Sequence, residues 1–169
     1  MIAPVPKKVS QSFTSFSQGV DRVATFLAVV ALAAMTAVTT LQIVCRFFFT
    51  ALSWSEELSR YLMVWLTFLG ASMGVKRGTH IAVTFAVSPL APRWRQGLAL
   101  LVQLLALYFF LLVALYGWKL MNLQAFQVSA GLGISMRYVY VSLPVGGLLC
   151  AVHIVSEILQ LLSGEKPWP

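Results

Sequence analysis

LSWSEELSRYLMVWLTFLGASMGVKRGTHI, residues 52–81, is an apolar stretch long enough to cross a bilayer, yet it admits Glu56, Glu57 and Arg60 at one end and Gly70, Gly74 and Gly78 further along. Hydrocarbon gives polar groups nothing to bond with, so such residues in a span point to contact with protein. Placed on a helix at about 100° per residue, Glu57, Arg60, Val64, Thr67, Ala71, Gly74 and Gly78 form one polar and small-residue seam. Leu58, Leu62, Trp65, Leu66, Leu69 and Met73 fall on the opposite side, where lipid or a large apolar groove is the expected neighbour.

Around this stretch the composition sets the class. The chain has 169 residues, 59% hydrophobic and 10% charged, too apolar for a soluble domain of that size. A spanning helix needs about 20 mostly apolar residues, and four stretches qualify: 23–44, 54–75, 98–118 and 139–162. The reading is an all-α integral membrane protein, one four-helix domain over residues 1–169. The first apolar run extends to Val44, longer than the core of a cleaved signal peptide, so it is expected to remain as an anchor.

Lys7, Lys8, Arg22, Lys76, Arg77, Arg93, Arg95 and Lys166 fall on one side of these spans, and Arg46, Arg60, Lys119 and Arg137 on the other. The positive-inside rule then places both termini in the cytoplasm. The same distribution accounts for most of the +7 net charge, and scattered membrane-flanking cations do not make a nucleic-acid surface. Segment 79–97, broken by Pro89 and Pro92 and carrying Trp94 between two arginines, is expected to lie along the cytoplasmic interface. Residues 119–137 form the outer loop.

The fourth span repeats the seam with Ser142, Gly146, Cys150, His153, Glu157 and Gln160. The first has a weaker version in Thr25, Ala28, Leu32, Met35, Thr39, Gln42 and Arg46, whereas the third carries only Gln103 before its aromatic end and is expected to be the most lipid-exposed. Helices packing on one another explain any single seam; seams on three of four spans in so small a bundle favour an external partner as well. Glu57 and Arg60 are spaced to pair along one helix, and Arg46, one short loop away, offers Glu57 a bridge between two helices instead.

Chemistry-bearing clusters are sparse. Cys45 and Cys150 are isolated, without redox or zinc spacing. His80 and His153 differ in depth, which disfavours haem ligation, and no nucleophile or carboxylate constellation suggests hydrolysis. No cofactor, metal or catalytic residue is expected. His153 with Glu157 allows a proton relay, although a packed polar pair is the simpler reading.

Arg46 closing the first span, then Trp54, Ser55, Glu56, Glu57, Arg60, Trp65, Leu69-Gly70-Ala71, Lys76-Arg77-Gly78 and His80-Ile81, resembles the small membrane subunit of tripartite ATP-independent periplasmic (TRAP) transporters. Gly133-Ile134, Tyr138, Tyr140 and Leu143-Pro144-Val145-Gly146 carry the likeness into the last span, so it covers nearly the whole chain after Val20. Thr84 stands where many members have an acid, and Ser135 precedes Met136 where proline is frequent, which suggests a less rigid outer loop.

The resemblance implies a bacterial inner-membrane subunit of a secondary uptake system for organic acids, driven by sodium. Its partners would be a large multi-spanning subunit that holds the substrate and ion sites and a periplasmic binding protein. The small subunit would brace the scaffold against which the large subunit moves. Interface or structural candidates are then Arg46, Trp54, Glu57, Arg60, Thr67, Ala71, Gly74, Gly78, His80, Gly146, His153 and Glu157, with Gln124, Gln127, Ser129 and Arg137 as candidates for docking the binding protein. A free-standing four-helix transporter or channel is the alternative, and it requires Glu57, or His153 and Glu157, to face a watery path.

Overall fold

A computed structural model describes the backbone of residues 7–48, 50, 52–87 and 92–163, with side chains over 10–48, 50, 52–77 and 97–163. The described residues form α1 (Lys7–Phe48), α2 (Ser53–Val87), α3 (Pro92–Leu123), the single turn α4 (Arg137–Tyr140) and α5 (Ser142–Ser163). Four of these helices are long and apolar enough to cross a membrane.

α1 starts well before its apolar run. Its 42 residues reach about 63 Å at 1.5 Å per residue, roughly twice the hydrocarbon thickness. Ser10, Ser17 and Ala24 are buried at seven-residue intervals, with Ala28 one turn further. A seven-residue repeat keeps one side of a long helix against its neighbours, and small residues let the backbones approach. α2 likewise runs unbroken past Val75 to Val87. The side chains of segment 79–96 and the backbone of 88–91 lie outside the described residues.

α5 is the central helix: eleven of its 22 residues are buried, whereas α1, α2 and α3 each bury five or fewer among the described residues. Adjacent glycines make this possible. A Cβ on Gly146 would sit 2.6 Å from Cβ of Phe68 on α2, and one on Gly147 would sit 2.9 Å from the Phe110 carbonyl oxygen on α3. α5 therefore touches side chains on one flank and nearly bare backbone on the other. Pro144, in its first turn, removes no intrahelical hydrogen bond. α3 gains burial from this contact, so the chain's own packing covers it no less than α1 and α2.

The Gly146–Phe68 contact, with the Trp65 indole N–H donating to the Tyr138 carbonyl at 3.2 Å, sets α5's first turns beside residues 65–68. From Ser53 to Trp65 is twelve residues, about 18 Å. Segment 124–141 fills the space this stagger leaves beside the start of α2. It closes on itself through Ser129 N–H to the Ile134 carbonyl at 2.9 Å and Met136 N–H to the Gln127 carbonyl at 2.9 Å, with Gly133 at φ +67° in the turn. Ser135, read from sequence as loosening the loop, donates its hydroxyl to the Ala125 carbonyl at 2.8 Å and so ties the loop's two sides together.

Candidate functional site

Glu57 lies in the second turn of α2, facing the loop. Its Oε2 accepts hydrogen bonds from the Ser129 hydroxyl and from the N–H groups of Gly131 at 2.8 Å and Leu132 at 3.1 Å. Bonds to an ionised acceptor are roughly twice as strong as neutral ones, and this set fastens the loop to α2. Gly131 is required for the approach, since a Cβ there would lie 2.8 Å from the same carboxylate oxygen.

The inferred Arg46–Glu57 bridge is therefore corrected. Arg46 is exposed, and the carboxylate is held by donors more than seventy residues away in sequence. Arg60 pairs with Glu56 rather than Glu57, at 2.8 Å with both side chains well exposed, a contact worth about 0–1 kcal/mol. Ser129 is 5% exposed and committed to Glu57, which removes it from the docking candidates. Trp54, beside Gly131, is half-buried.

The opposite end of the bundle is a second polar lock. The Ser17 hydroxyl is 2.8 Å from His153 Nδ1, and Lys76 Nζ donates to the Ser17 carbonyl at 2.8 Å. Arg77 reaches Asp21 at 3.3 Å and Thr25 at 3.1 Å. Gln103 Nε2 donates to Glu157 Oε2 at 2.9 Å, and Gln160 Nε2 to Thr14 Oγ1 at 2.9 Å. The α5 seam thus faces this chain's own core: Ser142, Gly146, Cys150, His153 and Glu157 are all buried. Glu57, His153 and Glu157, which a free-standing transporter would turn toward water, are bonded within the bundle.

Sequence reasoning missed Ser17, Asp21 and Thr14, which precede the first apolar run. It noticed Gln103 but not its partner. A lone amide in an otherwise apolar span was the available signal, because such a group is stable there when bonded.

On α2 the two faces lie opposite to the simplest expectation. The bulky face is internal: Leu69 is 4% exposed and forms the apolar core with Ala24 and Ala28 of α1, flanked by Leu66, Met73 and Leu149. Alanines on α1 leave room for leucines on α2, so the large side chains pack inward. Thr67, Gly70, Ala71 and Gly74 are exposed, and a Cβ on Gly70 or Gly74 would meet no atom within 4 Å. Thr67 satisfies its hydroxyl on the Met63 carbonyl at 2.8 Å. This part of the seam, from Thr67 to Gly74, is covered by no other element among the described residues. Gly78 and His80, which continue it in sequence, have side chains outside the described residues. The α1 seam is divided: Ala28 is buried, Thr25, Met35 and Gln42 are half-buried, and Leu32, Thr39 and Arg46 are exposed.

Beside the polar lock, Phe16, Val23 and Leu27 of α1, Trp65 and Leu69 of α2, and Val145 and Leu149 of α5 line an apolar groove of about 520 Å³. Among the described residues no group of three or more His, Cys, Asp or Glu could hold a metal ion.

Residues 35–164 match the family model described as "Tripartite ATP-independent periplasmic transporters, DctQ component". The chain is 30% identical over 145 residues to the sialic acid TRAP transporter small permease protein SiaQ of Vibrio cholerae, covering 85% of this chain and 84% of that protein. It is 30% identical over 108 residues to the C4-dicarboxylate TRAP transporter small permease protein DctQ of the same organism, covering 63% and 47%. It is also 28% identical over 123 residues to the sialic acid TRAP transporter permease protein SiaT of Haemophilus influenzae, where the match takes in 72% of this chain but 20% of the relative. A four-span membrane protein with these matches is a transporter component and not an enzyme: the chain belongs to the DctQ family of TRAP transporter small permease subunits.

Proposed function

We propose that this chain is the static brace of a sodium-driven TRAP system for organic acid uptake in the bacterial inner membrane, bound to a large multi-spanning subunit through the outward seam of α2. The observation that carries the reading is the exposure of Thr67, Gly70, Ala71 and Gly74 beside a bulky face already spent on the internal core. Small residues allow another helix's backbone to approach, which is how helices associate in lipid. The SiaT relative adds support, since sequence similar to this chain makes up a fifth of that longer permease protein.

Both termini face the cytoplasm in this proposal, which sets the Glu57-fastened loop on the periplasmic side. A loop closed on itself and tied to α2 presents a fixed surface, with Gln124 and Gln127 at its start available to dock a binding protein. Transport requires part of the assembly to stay still while another part moves. Two polar locks, one at each end of the bundle, suit that role, and the substrate and ion sites belong to the large subunit. The acid carried is set by the partners; sialic acid and C4-dicarboxylates are the cargoes in the names of relatives.

The test is a cysteine cross-link. Thr67→Cys or Gly74→Cys should form a stoichiometric adduct with the large subunit in native membranes, while Leu69→Cys should not. An adduct from Leu69→Cys alone, or from none of the three, would assign the interface elsewhere.

A further inference from the structure

Between Glu57 and Glu157 the chain contains no aspartate or glutamate, yet that stretch includes Lys119 and Arg137. The acids that bound this stretch are already engaged: Glu57 holds the loop, with Glu56 beside it paired to Arg60, and Glu157 accepts from Gln103. Lys119 rests its ammonium 5.3 Å over the Tyr116 ring. Arg137 is exposed and makes no ion pair among the described residues. With Trp118, Met121, Tyr138 and Val141 it lines a pocket of about 340 Å³.

The level of this pocket is informative. The third apolar run ends at Trp118 and the fourth starts at Val139, directly after Arg137 and Tyr138, so the pocket lies where hydrocarbon gives way to headgroups. Trp118 and Tyr138 are 57% and 66% exposed there, as amphipathic rings at that depth are. Met121, 2% exposed, belongs to the packed wall. Below Trp118, Leu104, Leu111 and Leu115 continue the same face of α3 and are exposed. In the orientation proposed above both cations stand on the outer side, against the usual Lys and Arg bias, and this placement rests on that orientation.

We propose that this pocket binds the phosphate of a phospholipid headgroup in the adjoining leaflet, with Arg137 as its donor fork, Trp118 and Tyr138 beside the glycerol region, and an acyl chain along Leu115 and Leu111. A guanidinium matches a phosphate with two parallel N–H bonds, which an ammonium cannot supply. An acidic surface on a soluble partner would also attract Arg137. However, aromatic and aliphatic walls at hydrocarbon depth suit a molecule that has both a phosphate and an acyl chain.

The experiment is native mass spectrometry of the full chain, purified alone and titrated with phosphatidylglycerol in detergent micelles, so that it stands apart from any failure of the subunit pairing. The wild type should carry one tightly held lipid. Arg137→Gln should weaken that binding roughly tenfold, Arg137→Lys should restore part of it, and Arg22→Gln, removing an exposed cation at the other end of the bundle, should leave it unchanged. Helix content and melting temperature of the variants show whether the fold is intact. Equal lipid retention by Arg137→Gln and wild type, or no retained lipid in either, overturns the proposal. So does a wild type that holds lipid only through a site insensitive to Trp118→Ala.

Discussion

At the scale of residues, the two polar locks differ in kind. Glu57 collects three donors from one loop, so Glu57→Ala strips them of a common acceptor; it should lower the thermal midpoint and expose the 124–141 loop to proteolysis. Combining Arg46→Glu with Glu57→Arg should not restore the loss, because the two residues are not partners; recovery to the wild-type midpoint would reinstate the bridge between them. Ser17→Ala breaks the Ser17–His153 bond and should cost about 0.6 kcal/mol, the average for hydrogen bonds between membrane helices, and no more than about 1.7, measured by unfolding in mixed micelles. The partners of Glu57 were not legible in sequence, since Ser129, Gly131 and Leu132 converge only once the loop closes. That a charged residue at a span's mouth must have a use was legible from residue type alone.

Glycines on different helices do opposite work at the scale of elements. Gly146 and Gly147 are the contact between α5 and its neighbours, so Gly146→Leu must drive into Phe68 and should destabilise the isolated chain by about 1–3 kcal/mol or more. Gly70→Leu and Gly74→Leu point into open space and should leave the chain's own unfolding within about 0.5 kcal/mol of wild type. The reverse ranking would mean that α2 and α5 exchange roles. Periodicity gathered Ser142, Gly146, Cys150, His153 and Glu157 onto the one buried face of α5, because steps of three and four fix a face. It could not tell which seam turns inward; that depends on volumes across the contact, Ala24 and Ala28 against Leu69 on one side and Gly146 against Phe68 on the other. The early start of α1 was hidden for another reason. Lys7 to Arg22 is polar, so a hydropathy reading begins at Val23, although Ser10 and Ser17 are as well buried as Ala24.

For the whole molecule, the pattern is a bundle fastened internally at both ends that leaves one small-residue face of α2 without a partner among the described residues. Hydropathy and the second-span motif were enough to indicate the family, because a run of unlike residues in fixed order, from Trp54 to Ile81, is specific in a way that apolarity is not. The central claim is that the outward α2 seam holds a large membrane subunit. Its most direct measurement is the stoichiometry of that subunit in mild-detergent extracts of native membranes, captured through a tag on this chain, wild type beside Gly70→Leu/Gly74→Leu. The account predicts near-equal recovery with the wild type and a loss of at least about tenfold with the variant, at unchanged abundance and melting temperature of the chain itself. Full recovery with the variant, or a wild-type chain that emerges alone and monodisperse, would contradict it.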